Sequence, residues 1–97
     1  MEIELRNTCQ EISLALSLMK DEPEVFSFLR DLLTESEIRE FSNRFRVARM
    51  LQEWVSYKTI EGETGMSSTT IARISKFLKW ENHGYARALS LLDLNSK

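Results

Sequence analysis

The sequence predicts an all-α fold of several short helices built around a helix-turn-helix. Three observations predict it. Apolar residues recur at spacings of three and four along nearly the whole chain. No segment alternates apolar and polar residues over a useful strand length. Cap residues and glycines punctuate the chain at short intervals. Ninety-seven residues with 42% apolar content suffice for one domain, and the composition suggests neither disorder nor a disulfide scaffold. We read residues 1–97 as a single domain: helices for dimerisation at 1–33, a long helix at 34–55, a helix-turn-helix at 56–79 and a last helix at 84–94.

Leu5, Cys9, Ile12, Leu16 and Met19 are spaced four, three, four and three, which sets them on one seam of a first helix. Leu14 and Leu18 make a second stripe, so this helix has two surfaces to cover. Asp21-Glu22-Pro23 breaks the chain and restarts it, proline being tolerated in a first helical turn. Val25, Phe26, Phe28, Leu29, Leu32 and Leu33 form a second apolar segment. Two such segments would expose a large patch in a small monomer, which predicts a homodimer with these helices in its shared core.

Thr34-Glu35-Ser36-Glu37 is a capping box opening the long helix. Ile38, Phe41, Phe45, Ala48 and Leu51 point inward along it; Arg39, Arg46 and Arg49 share another face, with Arg44 alongside. Trp54 is expected to close core packing at its end. Ser56 caps a short helix holding Tyr57 and Ile60, Gly65 ends it, and Ser67 caps the next, which carries Ile71, Ile74 and Leu78. Asn82-His83-Gly84 punctuates again before Tyr85, Ala88, Leu89 and Leu92. His83 is expected in an exposed turn or cap, and Trp80 against a dimer partner or over the helix end.

The net charge of −2 conceals a division along the chain. Residues 1–40 carry ten acids and four bases, residues 41–80 three acids and seven bases, and the last seventeen balance. Phosphate binding follows the local field, so the basic middle matters more than the total. No signal peptide or membrane span is evident, and a cytoplasmic protein is expected. Cys9 is alone, which excludes an intramolecular disulfide; it is expected as a small buried hydrophobe.

Ile60, Gly65, Ile71 and Ile74 have the spacing that lets two short helices cross around a small apolar centre with glycine at the turn. The outward face of the second helix offers Ser67, Ser68, Thr69, Ala72, Arg73 and Lys76. Hydroxyls and small side chains at a helix start suit base edges, and basic residues suit phosphate. Other functions stay open on these residues. A helical module could dock a protein through Ile74, Phe77 and Trp80, and a regulator could answer to a small ligand. An enzyme is not expected: His83 has no cluster of metal ligands in the sequence, no glycine-rich phosphate loop occurs, and Glu61 and Glu63 do not share a helical face.

"LLTESEIREFSNRFRVARML" (32–51) with "SYKTIEGETGMSSTTIARISKFLK" (56–79) resembles the tryptophan repressor superfamily, and "KFLKWENHGYARAL" (76–89) is more similar to its uncharacterised YerC/YecD branch. The resemblance covers about half the chain. It implies a bacterial, all-helical, intertwined dimer that binds double-stranded DNA, a transcriptional regulator of the repressor type. Lys58 matches an arginine that reaches a base; Ser68, Thr69 and Ala72 match residues at the groove; Lys79 matches a lysine near the backbone. With Ser67, Arg73, Lys76, Arg46 and Arg49, these are the candidate DNA-binding residues. Glu61 stands where the family has a DNA-touching lysine, so the operator should differ.

The resemblance also locates a corepressor site. Arg44 and Arg73 match the arginines that sandwich an indole, and Thr34 and Thr70 match threonines that line the site. Ile74, however, replaces a glycine that leaves room for the indole, and Phe77 replaces a serine that meets the ligand's amino group. Side-chain atoms filling that space would cost a ligand roughly 1–3 kcal/mol, and a buried ammonium would lose a polar partner. The corepressor positions are therefore not expected to function, tryptophan is not the expected effector, and no cofactor is expected.

Overall fold

A computed structural model describes residues 2–80 and 83–96, Trp80 by its backbone alone. Six helices follow in order: α1 (Glu2–Leu18), α2 (Glu22–Leu32), α3 (Glu35–Gln52), α4 (Tyr57–Thr64), α5 (Ser68–Trp80) and α6 (Gly84–Asn95). The described residues contain no strand. The chain forms two compact units, residues 1–38 and 39–97, whose boundary falls inside α3.

In the first unit the breaks are made by side chains. The Asp21 carboxylate accepts the Glu24 N–H at 3.1 Å, and the Glu24 carboxylate accepts the Lys20 N–H at 3.1 Å. The predicted capping box forms at the start of α3: Glu37 N–H donates to Thr34 Oγ1 at 3.1 Å, and Thr34 N–H donates to Glu37 Oε1 at 2.9 Å. Neither α1 nor α2 contains a buried residue. Cys9, expected inside, is exposed, because α1 has no interior to place it in.

The second unit holds the core. Val47, Ala48 and Met50 of α3 meet Ile60 of α4, Ile71 and Ile74 of α5 and Leu89 of α6. An eight-residue helix such as α4 does not persist alone in water. Burial of Ile60 to 0% exposure, a contribution of about 1.5–3 kcal/mol, ties it to its neighbours. Ser56 Oγ accepts the Thr59 N–H at 3.2 Å, Gly65 closes α4 at φ +74°, and Ser67 Oγ accepts the Thr70 N–H at 3.2 Å. Thr64 crosses that turn, donating to Ile60 O at 2.7 Å and accepting the Met66 N–H at 3.2 Å.

Two aromatic expectations on α3 are corrected. Phe41 is exposed rather than inward, and its ring lies under the Arg44 guanidinium at 5.7 Å. Trp54 is 86% exposed rather than closing the core. The reason is the way α3 ends: Val55 N–H reaches Met50 O at 3.0 Å and Trp54 N–H reaches Leu51 O at 3.1 Å, a Schellman closure. That geometry sets Trp54 at φ +62° and leaves Val55, not Trp54, packed against the core.

Candidate nucleic-acid interface

α4, the Gly65 turn and α5 form the predicted helix-turn-helix, and its inward residues Ile60, Ile71 and Ile74 are all buried. Burial of that face leaves the other one out. Thr69, Ala72, Lys76 and Lys79, spaced three, four and three, are exposed along one stripe of α5, with Ser67, Ser68 and Arg73 exposed beside it. Lys58 is exposed in the first turn of α4 and Glu61 is exposed further along it. The Ser67 and Thr70 hydroxyls bond to one another at 3.1 Å, so the cap is braced as well as formed.

The arginines of α3 stand apart from this stripe. Arg46 Nη1 donates to Glu63 O and Nη2 to Glu63 Oε1, both at 3.4 Å. Arg49 Nη1 donates to Asp93 Oδ1 at 3.2 Å, joining α3 to α6. Both therefore brace the helix-turn-helix support while remaining partly exposed. Sequence reasoning had no local signal for these pairs, since their partners lie 17 and 44 residues away.

Most of the corepressor-equivalent positions come together. Arg44, Thr70, Arg73, Ile74, Phe77 and Tyr85 line a cleft of about 120 Å³. Ligand pockets for drug-sized molecules usually exceed about 300 Å³. Ile74 is 4% exposed and packs into the core, while Phe77 lies at the surface. Arg44 pairs with Glu40 at 2.6 Å, and the Arg73 guanidinium lies 5.8 Å from the centre of the Phe77 ring. Thr34 belongs to the first unit, where its hydroxyl serves the capping box. On the other side of Phe77 a larger apolar cleft, about 370 Å³, is lined by Phe45, Phe77, His83, Gly84, Tyr85 and Ala88. His83 is exposed at the start of α6 at φ +63°, without a side-chain cap bond. Trp80's side chain and Asn82 lie outside the described residues.

An all-helical chain with a basic, outward-facing second helix across a glycine turn is a helix-turn-helix protein. Comparison with known proteins narrows the class. The family model described as Trp repressor protein matches residues 7–93, and the chain belongs to that family, one of regulators rather than enzymes. It is 44% identical over 71 residues to the uncharacterised protein YerC of Bacillus subtilis (strain 168), covering 73% of this chain and 68% of that one. A Staphylococcus aureus crystal structure, assigned as a candidate Trp repressor, superposes with a TM-score of 0.82 at 34% identity, over 96% of this chain and 95% of that one. A TrpR-like protein from Eubacterium eligens gives 0.80 at 36% identity, over 90% of each. No helix among the described residues is long and apolar enough to cross a membrane.

Proposed function

We propose that this chain is a cytoplasmic, sequence-specific transcriptional repressor that binds double-stranded DNA as a homodimer, without tryptophan as corepressor. The observation that carries the reading is the division of α5: Ile71 and Ile74 locked into the core, and Thr69, Ala72, Lys76 and Lys79 presented together outside. A helix anchored on one side and furnished with hydroxyl, methyl and ammonium groups on the other suits a major groove. The homodimer is supported by the first unit, where Ile3 and Leu18 are each 79% exposed and no residue of α1 or α2 is buried. Independence from tryptophan is supported by the small cleft between Arg44 and Arg73 and by Ile74's place in the core.

Selection from random duplex DNA at near-physiological salt tests the reading. The expected result is a two-fold symmetric motif with half-site centres about 34–36 Å apart. A retained pool with no enriched sequence would overturn it.

A further inference from the structure

Trp54 is the most exposed large apolar residue among those described. It is also held at φ +62°, a conformation in which glycine is usual and a bulky side chain is strained. Among the described residues Trp54 belongs neither to the core nor to the hydrophobics packed against it, so a strained, exposed aromatic points to a role outside the fold. Its surroundings suggest which. Trp54 lines a shallow cleft with Tyr57 and Lys79, floored by Leu51, Val55 and Ser75. Tyr57 is 40% exposed, and Lys79 is the last member of the exposed α5 stripe. Lys58 follows Tyr57 on α4. Arg46 and Arg49 are each held by a carboxylate, but neither Lys58 nor Lys79 has an ion pair among the described residues.

We propose that Trp54 and Tyr57, with Lys79, form a second DNA contact that grips the sugar–phosphate backbone beside the half-site. The inference rests on the functional reading above. Thr69 and Lys79 are separated by ten residues of α5, about 15 Å of helix, against a major groove about 12 Å wide. When the Thr69 end enters the groove, the Lys79 end lies over the flanking backbone. There the indole lays its apolar face on a deoxyribose and donates Nε1–H to a phosphate oxygen. The Tyr57 hydroxyl donates to the same backbone, and the Lys79 ammonium supplies the charge. Lys79 at the rim, with no ion pair among the described residues, favours a polyanion over an apolar protein surface. Such contacts set register and affinity without selecting bases.

The test compares the unaltered chain with Trp54→Gly on the duplex the unaltered chain selects. Glycine suits φ +62°, so the variant keeps a thermal midpoint no lower than the parent. It selects the same central motif, binds roughly fivefold more weakly, and loses hydroxyl-radical protection at the nucleotides flanking that motif. Trp54→Phe, which keeps an aromatic face without the N–H, recovers part of the affinity. Equal affinity and an equal footprint for Trp54→Gly would overturn this inference alone. Failure of the unaltered chain to select any duplex would overturn the functional reading and this second grip with it. A changed monomer–dimer equilibrium with intact flank protection would assign the face to a second copy, and overturn the proposal as well.

Discussion

Arg46 of α3 holds Glu63 of α4 by both ends, one guanidinium nitrogen on its carbonyl oxygen and another on its carboxylate, each at 3.4 Å. The pairing satisfies a free carbonyl at the end of α4 and fixes the first helix of the helix-turn-helix to the long helix beneath it. It separates the basic residues into two groups. Arg46 and Arg49 have carboxylate partners within the fold, while Lys58 and Lys79 have none among the described residues.

The two groups should respond differently to salt. Lys79→Ala is expected to reduce the slope of log affinity against log salt by about 0.9, the share of one neutralised phosphate. Arg46→Ala should leave that slope unchanged and lower stability by about 0.5–1 kcal/mol, the scale of a half-exposed pair. Binding titrations over a salt series, with denaturant melts of both variants, make the comparison. A slope change for Arg46→Ala equal to that of Lys79→Ala would make Arg46 a phosphate ligand.

Ile74 and Phe77 should divide just as sharply. Ile74 is almost fully buried in the core, so Ile74→Ala is expected to cost about 2–4 kcal/mol. Phe77 is 39% exposed, and Phe77→Ser should cost well under half of that. Urea unfolding of both variants measures the difference; equal costs would mean that Phe77 is buried in the working assembly.

Addition of L-tryptophan should leave affinity for the selected duplex unchanged. The Arg44–Arg73 cleft holds about 120 Å³, and the Arg44 guanidinium is already engaged by Glu40 at 2.6 Å. A tenfold gain, equivalent to about 1.4 kcal/mol of coupling, would show that the cleft opens to admit the ligand.

Two glycines three residues apart should respond to alanine in opposite directions. A Cβ on either Gly62 or Gly65 would meet nothing within 4 Å, so sterics do not decide. Gly62 lies inside α4, where alanine is better by about 0.8–1 kcal/mol. Gly65 lies at φ +74°, where alanine is worse by about 1–2 kcal/mol. Thermal melts of Gly62→Ala and Gly65→Ala should bracket the parent, and a shift of both in one direction would contradict the backbone account.

Local chemistry in the chain was enough to place the helices and their punctuation. Thr34, Ser56, Gly65 and Ser67 each act on backbone groups within a few residues, so their roles depend on little else. The inward stripe Ile60, Ile71, Ile74 was legible for the same reason, because helical periodicity is itself local. Trp54 was not legible. An aromatic residue after a long helix with an apolar stripe suggests core, and only the Schellman closure, with its positive φ, turns it outward. Arg46 and Arg49 read as free charge on a helix face until the fold brings Glu63 and Asp93 within 3.4 and 3.2 Å. Where helices begin and end, and which face of α5 is apolar, follow from neighbours along the chain. Tertiary structure alone decided which charges are neutralised and which aromatics stay in solvent, because those outcomes depend on groups that meet only after the chain has folded.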